Sequence, residues 1–384
     1  MSQKIIYVSY MRLTDKVARD WYIDYSIEKS AIVEYWDIVS LVREEHEEKG
    51  ALDVDYLRYI NTYQEFDELV SHLDNLYAVY VMLISYSGRF SKPFRLLSKY
   101  NCKMVFLSWG DMPVTTTAPR LFRYIYRIRT NPINSIQTAF DLILSIAYRR
   151  FGIVKRFDIV FAAGSVLSSS SQYAKRVVPF NLCDFDHYSR VKLAEQRVVK
   201  GKYAVFLDIN LPYQSDLAIC GLHTVHAINY YQSLNRFFDL LEMAHNIKVV
   251  IAEHPKAKYT GEEYKKRESY RMLTAELVKD AEYVITHTST ALSYAVLNFK
   301  SVLFIYTDEM VSIYKNTVIQ QIESLALYLK ANFYNIDQIS DGRLVYIQQP
   351  NRERYDLFKY SYLTSCESEN SQSAEIFLRE IHTL

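Results

Sequence analysis

The chain has 384 residues, of which 49% are apolar and 23% charged, and its formal net charge at pH 7 is +1. This length exceeds what one ordinary core supports, so two domains of roughly 150 to 200 residues are expected. The near-neutral charge argues against a general nucleic-acid-binding protein, which carries a clear basic excess. The nine glycines form neither a dinucleotide-binding fingerprint nor a phosphate-binding loop.

The spacing of the cysteines and the hydropathy pattern indicate the cellular compartment of the protein. Cys102, Cys183, Cys220 and Cys366 are far apart and have no metal-ligand spacing, so neither a zinc site nor a disulfide framework is predicted. The sequence has no signal-peptide pattern and no apolar stretch of about 18 residues. These features favour a cytoplasmic protein without a cofactor or metal.

Alternating strand and helix patterns predict a parallel sheet in the first half of the chain. Ser9 and Arg12 follow its first strand, and Arg89 and Asp111 follow two later strands. Such sheets bind ligands at the C-terminal ends of their strands. These four side chains are therefore predicted to line an acceptor cleft. The DxD triplet 53–55 is predicted to open a helix, where carboxylates are favoured.

Residues 120–156 are basic and rich in aromatic and aliphatic residues. This segment contains eight Lys and Arg residues and a single acid, Asp141. Such a segment is typical of a peripheral contact with an anionic membrane face. A core helix with basic ends is the alternative.

Four aspartates later in the chain are candidates for chemistry. Asp184 and Asp186 form a second DxD, which in metal-dependent glycosyltransferases holds a divalent cation. The charged sequence that follows it favours an interdomain connection instead. Asp208 ends the first strand of the second half, and the loop after it runs to Asp216. Both are candidate catalytic bases, followed by Asp111.

The strongest pattern lies in residues 248–307. The apolar runs KVVIA, YVIT and SVLFIY predict three buried strands separated by helices. His254 and Pro255 follow the first strand, and residues 287–290 (HTST) follow the second and precede a helical pattern. Hydroxyls and amides at the start of a helix are suited to a phosphate or a carboxylate.

This pair of motifs resembles the signature of bacterial glycosyltransferases with two facing Rossmann-like domains, the GT-B class. The resemblance is to the sialyl-, polysialyl- and Kdo-type transferases, which use CMP-activated acidic sugars and build surface polysaccharides such as capsule and lipopolysaccharide. In that family the HP histidine and the Ser/Thr pair hold the nucleotide phosphate. The matching residues are His254, Pro255, Ser289 and Thr290. The tail of the motif is also similar to teichoic-acid glycerophosphotransferases.

The resemblance implies an α/β GT-B fold and a metal-independent transfer from a CMP-sugar to a glycan acceptor, which could be lipid-linked. It implies a nucleotide-sugar-binding domain over residues 201–364, an acceptor-binding domain over 1–200, and a terminal helix in 365–384 that crosses back to the first domain. His254, Asp208 and Asp216 are the catalytic candidates. The donor-binding candidates are His254, Pro255, Lys256, Glu276, His287, Thr288, Ser289 and Thr290.

Three other functions remain open. A glycerol- or ribitol-phosphate transferase with a CDP-activated donor would use the same phosphate site. A UDP-sugar transferase or epimerase would share the fold, and a non-catalytic binding protein could have kept it.

Overall fold

The computed structural model describes residues 3–42, 52–109, 132–214, 223–315 and 317–384. These residues form two compact units. The first contains residues 3–109, 132–181 and 364–384 within the described ranges, and the second contains residues 182–363. Asp111, Asp216 and residues 120–131 lie outside the described residues.

A sheet of seven parallel strands forms the centre of the first unit. Its order is β3-β2-β1-β4-β5-β6-β7. Alternate residues of β1 pack on opposite faces of the sheet, so both faces are covered. The strands are β1 Lys4–Ser9, β2 Ile32–Asp37, β3 Leu57–Tyr59, β4 Ala78–Met82, β5 Lys103–Ser108, β6 Phe157–Ala163 and β7 Ala174–Phe180.

Seven helices precede or connect these strands in the described residues. They are α1 Asp15–Asp20, α2 Ile23–Glu28, α3 Val39–Val42, α4 Tyr63–His72, α5 Ser91–Lys99, α6 Pro132–Arg150 and α7 Ser169–Gln172.

The predicted helix from Asp53 is wrong. Part of that segment pairs with β2 as the edge strand β3, and the helix α4 begins only at Tyr63. The N-cap residue Thr62 fixes the start of α4, because its Oγ1 accepts a bond from the Glu65 amide at 3.1 Å. The Glu65 carboxylate in turn accepts a bond from the Asn61 amide at 3.0 Å.

The second unit is built on six parallel strands in the order β10-β9-β8-β11-β12-β13. The strands are β8 Tyr203–Leu207, β9 Lys248–Glu253, β10 Ser269–Arg271, β11 Tyr283–Thr286, β12 Ser301–Tyr306 and β13 Asn332–Asn335. The helices are α8 Cys183–Val191, α9 Ala227–His245, α10 Thr274–Asp280, α11 Leu292–Leu297, α12 Asp308–Tyr314, α13 Val318–Leu329 and α14 Arg352–Phe358. A π-helical turn, Lys359–Leu363, follows α14.

Both sheets have the strand order of a Rossmann fold, so the predicted α/β class with two Rossmann-like domains is confirmed. In each sheet the direction of winding reverses beside the first strand, between β1 and β4 and between β8 and β11. Ligands bind such sheets at this switch point, beyond the carboxyl ends of the strands.

The C-terminal residues 364–384 belong to the first unit. The helix α15 Ser373–Ile381 packs in the core of the first unit, where Phe377 contacts the rings of Tyr7 and Phe161. Residues 182–200 group with the second unit, because α8 packs against α10 and α11. No helix in the described ranges is long and apolar enough to cross a membrane.

Candidate functional site

Three neighbouring strands of the second unit end in the predicted polar residues. The strand order places β8 between β9 and β11. Asp208 follows β8, His254 follows β9, and the segment from His287 to Thr290 follows β11. Adjacent strands lie about 4.8 Å apart, so these three strand ends span roughly 10 Å at the switch point.

Asp208 is the centre of a hydrogen-bond network at this edge. Its side chain is buried, with the residue 4% exposed. Oδ1 accepts bonds from the Asn210 amide at 2.9 Å and the Tyr264 hydroxyl at 3.0 Å. Oδ2 accepts bonds from the His254 amide at 3.3 Å and from the Tyr259 hydroxyl. The carboxylate therefore joins the end of β8 to the turn that carries His254.

The two tyrosines are held in their donor form. Burial, followed by the negative charge of Asp208, raises the pKa of Tyr259 and of Tyr264 far above the ordinary value. Both hydroxyls therefore keep their protons and donate hydrogen bonds to the carboxylate.

His254 lies in a tight turn after β9 and is half-buried. Its carbonyl accepts a bond from the Ala257 amide at 2.9 Å, which closes the turn. Its Nδ1 accepts a bond from the Lys256 amide at 3.2 Å. The neutral ring therefore carries its proton on Nε2, which makes that nitrogen a hydrogen-bond donor. Pro255 and Lys256 are exposed.

The hydroxyl cluster after β11 lies in a turn before a helix. The Ser289 amide donates to Thr286 Oγ1 at 3.4 Å, and Ser289 Oγ accepts from the Ala291 amide at 3.3 Å. The Ser289 hydroxyl hydrogen is therefore directed away from that bond. No described residue accepts a bond from the amide of Thr288 or Thr290. This turn thus holds several donors in a short stretch.

The predicted position of this cluster at the start of a helix is wrong. The helix α11 begins at Leu292, two residues after Thr290, and has only six residues. A helix this short has a small dipole. Hydroxyls and amides of the turn, rather than a long helix, are the groups that can bind an anion here.

His287 has a different environment from the rest of the cluster. It is fully buried, with Nε2 at 2.8 Å from the Tyr230 hydroxyl and Nδ1 at 2.6 Å from the Ile305 carbonyl. Because the carbonyl only accepts, Nδ1 carries the hydrogen and the tyrosine donates to Nε2. Burial lowers the pKa of His287 from 6.5 to about 4. This arrangement favours a structural role for His287 over the predicted donor contact.

The stability of the fold should therefore depend on pH through His287. In the unfolded chain this residue takes a proton as the pH falls below 6.5, whereas in the folded chain it resists until about pH 4. Its contribution is present above pH 6.5 and is lost as the pH falls through 4. We expect it to remove about 2 kcal/mol from the free energy of unfolding between pH 7 and pH 5. Urea denaturation at both pH values, compared with His287→Gln, measures this. An equal pH dependence in the variant would contradict it.

Glu276, one of the predicted donor-binding residues, lies in the first turn of α10 beside a second polar cluster. Its Oε1 is 3.8 Å from His187 Nε2. Its Oε2 is buried and accepts no hydrogen bond within the described residues. A buried carboxylate oxygen without a donor is costly, by roughly 1 to 3 kcal/mol.

The second DxD contributes to the same cluster. The Asp184 carboxylate accepts bonds from the Ser293 hydroxyl and, at 3.2 Å, from the Tyr294 hydroxyl. The Tyr294 hydroxyl also lies 3.1 Å from His187 Nδ1. In the described ranges no group of three or more His, Cys, Asp or Glu side chains is placed to hold a metal ion. Asp184 thus connects α8 to α11.

Three of the four predicted cleft residues, Ser9, Arg12 and Arg89, lie in the described part of the first unit. Ser9 is buried, and its hydroxyl accepts a bond from the Met11 amide at 2.9 Å. Arg12 pairs with the buried Asp37 at 3.1 Å and lies over the ring of Tyr59. Arg89 is exposed.

Four residues of these clusters were not identified from the sequence. Tyr259 and Tyr264 lie in a loop without a periodic pattern, and His187 stands at the start of a charged stretch. Asp37 could be predicted as a cleft residue, because it ends the second strand as Ser9 ends the first.

Comparisons with known proteins give similar folds at low identity. The wall teichoic acid polymerase TagF in a structure with CDPG is 11% identical with a TM-score of 0.49, covering 99% of this chain and 88% of that chain. The UDP-GlcNAc 2-epimerase of Methanocaldococcus jannaschii is 11% identical with a TM-score of 0.47, covering 100% of both chains. The glycosyltransferase SnogD of Streptomyces nogalater is 9% identical with a TM-score of 0.44, also covering 100% of both. No protein-family model and no curated protein matches the chain. The fold assignment rests on the strand order of the two sheets.

Proposed function

We propose that the protein is a glycosyltransferase whose second unit binds a CMP-activated acidic sugar, such as sialic acid, another nonulosonate or Kdo. The acceptor is a hydroxyl of a surface glycan. One observation carries the proposal: the Nε2 donor of His254 and the hydroxyls and amides of residues 288–290 follow strands on either side of β8, at the switch point of the sheet.

These groups suit a phosphate that gains charge as a sugar leaves it. In the reaction the acceptor oxygen bonds to the anomeric carbon, the bond from that carbon to the phosphate oxygen breaks, and CMP departs with the electron pair. The acceptor proton passes to a base. Fixed hydrogen-bond donors aimed at the phosphate stabilise this charge. We propose that they do so without a metal ion.

His254 is assigned to the phosphate, together with Ser289 and Thr290. Asp208 is assigned a positioning role, because its buried carboxylate already accepts four hydrogen bonds. An ionised side chain so placed would repel a phosphate, so it acts on the phosphate only through the His254 turn. A role for Asp208 as the base stays a prediction, as does that of Asp216.

Glu276 is assigned to the ribose. The oxygen Oε2 has no donor among the described residues. A ribose hydroxyl that reached it would supply the missing hydrogen bond. His187, at 3.8 Å from the other oxygen, would hold the carboxylate in place.

A thermal-shift experiment tests the proposal. Wild-type protein in EDTA is heated with CMP, UDP, GDP, a CMP-activated acidic sugar, CDP-glycerol and a UDP-sugar. CMP and the CMP-sugar should raise the melting temperature most, because ligands that bind the native state stabilise it. A larger shift with CDP-glycerol than with the CMP-sugar would favour the phosphotransferase. A shift with UDP ligands alone, or a strict metal requirement, would contradict the proposal.

A further inference from the structure

The helix α6 of the first unit is attached to that unit through polar and aromatic groups. The Asp141 carboxylate accepts a bond from the Arg89 amide, and the Ser145 carbonyl accepts one from the Tyr86 hydroxyl at 3.1 Å. The Arg149 guanidinium lies over the ring of Tyr86, 4.1 Å from its centre. Asp141, Ser145 and Arg149 are four residues apart, so they share one face of the helix.

The opposite face of α6 is apolar and exposed. Phe140 and Ile143 are each 62% exposed and Ile146 is 59% exposed. These residues recur every three positions, so they form a stripe along the helix. Phe151, directly after the helix, is 77% exposed. A surface helix ordinarily turns its apolar stripe towards the core. In α6 the apolar stripe is exposed and faces away from the core.

The exposed charged residues between positions 139 and 156 are all basic. Arg150 is the last residue of the helix and Arg156 lies five residues after Phe151, and both are exposed. Asp141, the one acid between residues 139 and 156, is bonded to the protein on the other side of the helix. An exposed apolar stripe with basic residues beside it complements an anionic lipid surface, where apolar groups enter the interface and basic groups meet the headgroups.

We propose that the stripe Phe140, Ile143, Ile146 and Phe151 is a docking surface for an anionic membrane, with Arg150 and Arg156 meeting the lipid headgroups. A second copy of the chain is a poorer occupant of this face. In a two-fold symmetric contact the same surface meets itself, so basic residues would be brought together. The proposal is independent of the nucleotide site, because all of its residues belong to the first unit.

Co-sedimentation of the full chain with vesicles tests the surface. Wild-type protein should sediment with vesicles of phosphatidylcholine and phosphatidylglycerol at low salt, less at high salt, and least with phosphatidylcholine alone. The triple variant Phe140→Ser, Ile143→Ser and Ile146→Ser should reduce partitioning by at least about tenfold. The double variant Arg150→Glu and Arg156→Glu should reduce it by at least about tenfold and remove the decrease with salt.

A matched control separates this surface from apolar exposure in general. Leu76 and Leu193 are strongly exposed elsewhere on the chain. The double variant Leu76→Ser and Leu193→Ser should sediment as wild type does. All variants replace exposed side chains, and unchanged melting temperatures would establish that they fold.

Three results would overturn the proposal. One is wild-type protein that stays in solution with anionic vesicles at low salt. Another is a triple variant that sediments as well as wild type. The third is a wild-type dimer, seen by light scattering, that the triple variant dissociates while vesicle binding is absent, because the occupant would then be a second copy.

Discussion

Replacing His254 by alanine should weaken CMP binding by about ten- to a hundredfold, since a charge-assisted hydrogen bond contributes roughly 1.5 to 3 kcal/mol. The imidazole is oriented by the bond from the Lys256 amide to Nδ1, which leaves Nε2 as the donor. Ser289→Ala removes a hydroxyl from the turn after β11 and should have an effect in the same range. Isothermal titration calorimetry with CMP measures both losses.

The chain offers a matched histidine control. His245 ends α9 and lies close to the start of β9, whereas His254 follows the end of that strand. The two histidines are therefore at opposite ends of β9. His245→Ala should bind CMP with wild-type affinity. If both His254→Ala and Ser289→Ala kept that affinity as well, the phosphate site would be misplaced.

Removing the Asp208 carboxylate should have the largest effect on stability. In Asp208→Ala the buried hydroxyl of Tyr264, the hydroxyl of Tyr259 and the amide of His254 all lose their acceptor. Each unsatisfied buried donor costs about 1 to 3 kcal/mol, and the half-buried Tyr259 can turn to water, so the free energy of unfolding should fall by about 2 to 4 kcal/mol. CMP affinity should fall too, because the His254 turn is no longer tied to β8. Urea denaturation and calorimetry measure the two effects.

The variant Asp208→Asn separates a positioning residue from a base. The Asn side chain keeps one oxygen that accepts hydrogen bonds. Its NH₂ group replaces the other oxygen and faces groups that also donate. A positioning role predicts a partial loss of stability and of CMP affinity together. If Asp208 is the base, Asp208→Asn would lose sugar transfer while both of those quantities stayed at wild-type values. That result would contradict the role assigned here.

The sequence predicts the main strands because they are continuous apolar runs. The three strands of residues 248–307 that it predicts correspond to β9, β11 and β12. The strand β10 is missed, since Ser269–Arg271 has three residues, none of them aliphatic, at the edge of the sheet. The helix placed at Asp53 fails for a related reason. The short edge strand β3 depends on its pairing with β2, and no local pattern encodes that pairing.

For the site, the sequence locates polar residues at strand ends but not their partners. His254 and Ser289 could be placed because each follows a recognisable strand. The network around Asp208 could not, because Tyr259 and Tyr264 reach it only when their loop folds back over the sheet. The structural role of His287 could not be predicted for a similar reason. A histidine after a strand has the pattern of a ligand, yet contacts with Tyr230 and Ile305 bury this one.

The identity of the bound nucleotide is the central claim, and one titration tests it most directly. Wild-type protein in EDTA is titrated with CMP and, separately, with UDP in a calorimeter. The proposed site predicts that CMP binds without added metal and more tightly than UDP. Tighter binding of UDP, or no binding of CMP until Mg²⁺ or Mn²⁺ is supplied, would contradict a metal-independent CMP-sugar transferase.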